Sequence, residues 1–172
     1  LTTATEYLAG FKTRVTAPRG TQATTEYQVF DRPSTEAPVG ITVTDGALTA
    51  VTEIQRDIFS KPLRITRRNA DGSQRIDRHY VYDGYQQLCK TIEPETGATV
   101  MDYDGAGNLQ WSAAGLGLLS TSSCDTLAGR ESGRKVMRLY DARNRLKTLA
   151  FPDGKGDQQW AYWPDGLAKQ IT

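Results

Sequence analysis

The sequence predicts an all-β chain, a repetitive strip of antiparallel β-hairpins, and three observations carry that expectation. Its 16 glycines, 7 prolines and many threonines favour strands and turns over helices. Runs such as Leu88-Cys89-Lys90-Thr91-Ile92 and Leu146-Lys147-Thr148-Leu149-Ala150 alternate apolar and polar side chains, the period of a half-buried strand. Between such runs one short pattern returns. An aromatic residue is followed by Asp, a small or left-handed-tolerant residue comes three positions after the Asp, and an aliphatic residue closes the pattern.

The clearest copy is Tyr103-Asp104-Gly105-Ala106-Gly107-Asn108-Leu109. Next come Tyr140-Asp141-Ala142-Arg143-Asn144-Arg145-Leu146 and Tyr82-Asp83-Gly84-Tyr85-Gln86-Gln87-Leu88. Arg56-Asp57-Ile58-Phe59-Ser60-Lys61-Pro62 is a looser copy, and Phe30-Asp31 opens a worn one. In Tyr162-Trp163-Pro164-Asp165-Gly166-Leu167 a tryptophan fills the Asp slot. The slots at 31, 57, 83, 104, 141 and 163 recur every 21–26 residues, apart from one interval of 37. Repetition at such a period marks an array in which each unit buries its face against its neighbours. The extra residues of the long interval fall in 112–134, which is rich in Gly, Ser and Thr. They read as an inserted loop within one repeat region, residues 1–172, of about six degenerate repeats.

A second signal alternates with the first. Ala17-Pro18-Arg19-Gly20, Glu93-Pro94-Glu95-Thr96-Gly97 and Phe151-Pro152-Asp153-Gly154 are Pro/Gly turns, and Asn69-Ala70-Asp71-Gly72 takes that place in one repeat. Proline presets φ for a turn and glycine accepts positive φ. Each repeat is therefore strand, Pro/Gly turn, strand, Asp-bearing turn. Strands of the usual 5–6 residues give about ten in all. In the Asp slot a short carboxylate accepts hydrogen bonds from backbone N–H groups two or three residues on. The residue three along needs the left-handed region, which suits Gly107, Gly166 and Asn144 and suits Ser60 and Gln86 poorly. The preceding tyrosine is expected on a sheet face, packed against its counterpart on a neighbouring strand.

The Tyr-Asp-x-x-Gly-Asn/Arg-Leu pattern with intervening Pro-x-Gly turns resembles the YD repeat of Rhs proteins, over nearly the whole chain from about Val15 to Leu167. Rhs proteins are bacterial polymorphic toxins, and related repeats occur in insecticidal toxin complexes and animal teneurins. The resemblance implies a long sheet strip coiling into a hollow shell that encloses a C-terminal toxic domain. The structural repeat positions are then Tyr82, Asp83, Tyr103, Asp104, Gly107, Tyr140, Asp141, Asn144, Tyr162 and Gly166. Neither the self-cleaving aspartate-rich motif that ends some such shells nor a toxin domain is found within this sequence.

The remaining residues offer little chemistry. With 21 basic and 20 acidic residues the net charge is +1, which gives no field to gather nucleic acid or anionic membrane. No apolar run approaches the roughly 18 residues of a membrane span. The N-terminal Leu1-Thr2-Thr3-Ala4 carries no start methionine or signal pattern, and reads as the start of an excised or processed piece. Cys89 and Cys124 leave a bridge and two free thiols both open, because pairing depends on the compartment. A bridge would pin the inserted loop to the strand beside it. His79, the only histidine, reads as a packing or surface residue of a strand. Asp102-Tyr103-Asp104-Gly105 begins like a calcium loop, but Ala113 stands where the twelfth-position glutamate belongs. Trp160 and Trp163, at odd separation, point to opposite faces of a regular strand. Arg67-Arg68 and Arg143/Arg145 read as solvated turn charges.

These readings predict a non-catalytic structural segment of a shell that encloses or delivers a toxin domain, in an exported bacterial protein. They predict no catalytic residue, cofactor or metal. The expected partners are neighbouring repeats and an enclosed toxin domain, with self-association through open strand edges in an isolated piece. The alternative is a cell-surface adhesion or carbohydrate-binding module built on the same repeat.

Overall fold

A computed structural model describes residues 2–29 and 35–172. The described residues form an antiparallel sheet of fourteen strands in which every strand lies beside its predecessor in sequence. Two compact units divide it, Leu1–His79 and Tyr80–Thr172. The worn copy at Phe30-Asp31 lies outside the described residues.

The first unit carries β1 (Ala4–Leu8), β2 (Lys12–Thr16), β3 (Gln22–Tyr27), β4 (Pro38–Asp45), β5 (Leu48–Arg56), β6 (Pro62–Asn69) and most of β7 (Arg75–Tyr82). β1 and β2 form a hairpin: Ala4 pairs with Thr16 and Leu8 with Lys12. This hairpin and that of β4 and β5 turn at Gly10-Phe11 and Gly46-Ala47, without a Tyr-Asp copy. The strand number therefore exceeds the ten that the turn motifs suggest. Arg67 and Arg68 lie within β6 rather than in a turn, and Arg68 meets Glu53 of β5 at 2.6 Å. Thr66 is the one fully buried side chain described in this unit. Its hydroxyl donates to Asp77, which Arg75 also holds. Among its described residues no hydrophobic side chain is fully buried, and ladder hydrogen bonds and cross-strand pairs hold the strands.

The second unit continues with β8 (Leu88–Glu93), β9 (Gly97–Tyr103), β10 (Leu109–Leu116), β11 (Lys135–Tyr140), β12 (Leu146–Ala150), β13 (Gln158–Tyr162) and β14 (Ala168–Ile171). Residues 112–116 are strand, so the insertion is confined to 117–134, and it holds the helix α1 (Thr126–Glu131). Ser112 and Ala113 remain in the ladder because Val136 and Lys135 pair with them. Register puts Lys90, Val100 and Ala113 in one cross-strand row, with Asp102, Trp111 and Met137 in the next. Partners in a row share a sheet face. The inserted segment covers that face, and a buried cluster sits beneath it: Val100, Trp111 and Ala113, flanked by Leu116, Leu118 and Met137. Gly129 of α1 makes the close approach possible. A Cβ there would meet Val100 Cγ1 at 2.7 Å and the Trp111 ring at 3.2 Å.

Candidate functional site

The recurring feature of the chain is a five-residue turn. At Asp57, Asp83, Asp104 and Asp141 the Asp N–H donates to the carbonyl four residues on, and the N–H three residues on donates back to the Asp carbonyl, all at 2.9–3.0 Å. One carboxylate oxygen then accepts two further N–H groups, from residues two and four on. These donors are Phe59 and Lys61, Tyr85 and Gln87, Ala106 and Asn108, and Arg143 and Arg145, at 2.8–3.0 Å. The expected donors lay two or three residues on. The third N–H is already given to the Asp carbonyl, so the carboxylate reaches the fourth.

The residue three along takes positive φ in every described copy: Ser60 64°, Gln86 66°, Gly107 82°, Asn144 58° and Gly166 98°. Ser60 and Gln86, poor fits by propensity, adopt the same turn because four hydrogen bonds determine it. Left-handed backbone costs an L-residue about 1–2 kcal/mol, less than those bonds together supply. Ala17-Pro18-Arg19-Gly20, grouped by sequence with the Pro/Gly turns, has this frame too: Ala17 N–H donates to the Thr21 carbonyl and Gly20 N–H to that of Ala17. So does Trp163, where Asp165 takes the Leu167 N–H instead. The carboxylate is therefore an addition to a backbone turn.

Gly107→Val is expected to lower stability by about 1 kcal/mol or more, because a β-branched residue is penalised at positive φ. Its Cβ would meet only Gln87 Nε2 at an ordinary 3.5 Å, so the cost is conformational. An unchanged urea midpoint would refute this.

Two contributions escaped the sequence reading. The residue four after the Asp reaches back to the second carboxylate oxygen. Lys61 Nζ does so at 3.0 Å, Asn108 Nδ2 at 3.0 Å and Arg145 at 2.7–2.8 Å. Its signal in the sequence is a polar residue just before the closing apolar one. The tyrosines do more than pack. Tyr103, Tyr140 and Tyr162 donate their hydroxyls to the carbonyls of Leu88, Leu109 and Leu146, at 2.8, 3.1 and 2.6 Å. Each acceptor is the closing leucine of the preceding copy. In the looser copy Arg56 fills the tyrosine slot and donates Nε to the Pro38 carbonyl at 2.9 Å. Tyr82 is half-buried at the end of β7. Adjacent turns also touch. Asn108 Nδ2 donates to Asn144 Oδ1 at 3.1 Å and Arg143 to the Pro164 carbonyl at 2.7 Å.

These donors set the electrostatics. The Arg145 guanidinium, and then backbone N–H groups, hold the Asp141 carboxyl at about 2 against an ordinary 3.8, opposed by partial burial. The Asn108 side chain and nearby N–H groups lower that of Asp104. A carboxyl depressed in the folded state gives its full stabilisation above the unfolded value and loses it as pH falls through the folded one. Urea midpoints are therefore expected to fall between pH 3.8 and about 2, and Asp141→Asn to flatten that fall. A fall of equal steepness in the variant would assign the acid sensitivity elsewhere.

The other candidates are structurally engaged. Cys89 and Cys124 form a disulfide, with sulfurs 2.02 Å apart. His79 lies in β7 opposite Arg64 of β6. Asp102 accepts from Trp111 Nε1 at 3.1 Å and Arg130 at 3.0 Å, while Asp104 is occupied by its own turn. No group of three His, Cys, Asp or Glu side chains comes together among the described residues. Trp160 lies in β13, and Trp163 opens a turn with Lys169 Nζ 4.6 Å from its ring centre. No described helix is long and apolar enough to cross a membrane.

No protein-family model matches the sequence, and no curated protein matches it. Among solved structures, the chain is similar to the Photorhabdus luminescens Tc holotoxin pore with a mutated TccC3. Identity is 14% and the TM-score 0.38, over 92% of this chain and 10% of that one. It is also similar to the crystal structure of TcdB2-TccC3-Cdc42, with 15% identity and a TM-score of 0.39 over 92% and 11%. The chain thus spans about a tenth of the length of either match.

Proposed function

We propose that this chain is a non-catalytic wall segment of a YD-repeat shell, in an exported bacterial protein that encloses or delivers a toxin domain. The observation that carries this is the repeated link between copies. Three tyrosines in succession bond the closing leucine of the copy before, at 2.6–3.1 Å. Such links define a strip that extends by adding repeats, each stabilised by its neighbours. The depressed carboxyls of Asp57, Asp104 and Asp141 close turns, and those of Asp77 and Asp125 tie neighbouring elements together, which is the work of a scaffold. The reading gives His79 no catalytic role, so His79→Ala is expected to leave the parent's toxicity unchanged in a target-cell assay.

A wall has an inside. Thr42 and Val43 are successive residues of β4 and point to opposite sheet faces. Cysteines placed singly at these positions are to be treated with a bulky polyethylene glycol maleimide. In the isolated chain both are expected to react. In the intact parent one is expected to be shielded and the other open. Equal labelling of both in the parent would overturn the shell reading.

A further inference from the structure

We propose that the Cys89–Cys124 disulfide is a redox latch: reduction by a dithiol lets residues 117–134 lift from the sheet face while the strands beneath stay paired. Lifting would uncover Trp111, Val100 and the ammonium of Lys90. This inference stands independently of the wall reading.

The segment holds to the sheet by few apolar contacts. Leu118 packs against the core and Gly129 lies on Val100 and Trp111. Leu119 and Leu127, its other large apolar residues, are 70% and 68% exposed. Its remaining anchors are polar. Asp125 meets Lys90 Nζ at 2.5 Å, Arg130 meets Asp102 at 3.0 Å, and Arg134 donates to the Gly115 carbonyl at 3.3 Å. Lys90 is fully buried beneath the segment. Opening therefore returns an ammonium and a carboxylate to water, which offsets much of the lost ion pair. Against that stands the exposure of Trp111 and Val100. The disulfide is the one covalent tie, and it closes a loop 35 residues long. Such a closure removes open conformations that the free segment would otherwise sample.

The strands beneath are secured separately. β9 and β10 pair from Tyr103 to Ala98, and β10 pairs with β11 through Trp111, Ser112 and Ala113. Neither ladder uses the segment. Reduction runs by ordinary exchange. A thiolate of the dithiol attacks one sulfur, its second thiolate displaces the mixed disulfide, and the reductant leaves as a cyclic disulfide. Cys89 and Cys124 each end as a thiol, having gained one electron and one proton. The latch would stay closed in an oxidising medium and open in a reducing one.

The test compares oxidised protein, dithiothreitol-reduced protein and a Cys89→Ser/Cys124→Ser variant. Trypsin cleavage after Arg130 and Arg134 is expected to be about tenfold faster or more without the bridge. Acrylamide quenching of Trp111, read in a Trp160→Phe/Trp163→Phe background, is expected to rise in step. Amide exchange in β9 and β10 is expected to stay slow. Unchanged cleavage and quenching in both bridge-free forms would show that the segment holds without the bridge. Loss of amide protection in β9 and β10 at the same rate as cleavage would make the bridge a support of the whole unit. Either result overturns the latch.

Discussion

Trp111→Ala is expected to destabilise the Tyr80–Thr172 unit by about 3–5 kcal/mol, the usual cost of truncating a buried large aromatic. Trp111 is 2% exposed and clusters with Val100 and Ala113 in the core of this unit. The cavity carries most of the cost. The lost indole bond to Asp102 leaves that carboxylate with Arg130 and the Tyr103 N–H. Trp111→Phe separates the two effects: it keeps most of the volume and removes the donor, so a loss of about 1 kcal/mol is expected. Trp163→Ala is the control. Trp163 is 49% exposed, and a cost under about 1 kcal/mol follows from partial burial. Urea unfolding of the three variants gives the order. Equal midpoints for Trp111→Ala and Trp163→Ala would show that the inserted segment and the sheet do not share a core.

What could be read from the sequence was local. Asp57, Asp83, Asp104 and Asp141 are legible because their turns close within five residues, by bonds that the Asp side chain and its own backbone make. Residue-by-residue propensity fails at Ser60 and Gln86, where several bonds together outweigh one unfavourable φ. The turns of β1 to β5 fall outside the two repeat motifs: Gly10-Phe11 and Gly46-Ala47 turn the chain with neither an Asp slot nor a Pro/Gly pair. The tyrosine hydroxyls needed the third dimension, since each acceptor lies 15–31 residues away. The seat of 117–134 is also long in range. Still, it left a trace: Cys89-Lys90 and Cys124-Asp125 are adjacent pairs at one common separation of 35, and each member meets its counterpart.

The Lys90–Asp125 pair should respond asymmetrically to losing either partner. Asp125→Asn is expected to cost about 2 kcal/mol in the oxidised protein. That lies below the roughly 3–5 kcal/mol of a fully buried pair because Asp125 keeps 23% of its side chain exposed. Asparagine preserves the shape and tolerates the left-handed backbone found here, φ 51°, so the change isolates the charge. What remains is the Lys90 ammonium, 0% exposed, without its counter-ion, and the disulfide keeps the segment from lifting to hydrate it. Lys90→Met is expected to cost less than about 1 kcal/mol or to stabilise, because an unbranched apolar chain fills the same space without desolvating a charge. The orphan is then Asp125, which keeps Ser123 Oγ at 2.6 Å and access to water. Urea midpoints of the two oxidised variants decide the matter. Equal losses would place the energy in the ion pair itself, whereas a larger loss for Asp125→Asn places it in the stranded ammonium.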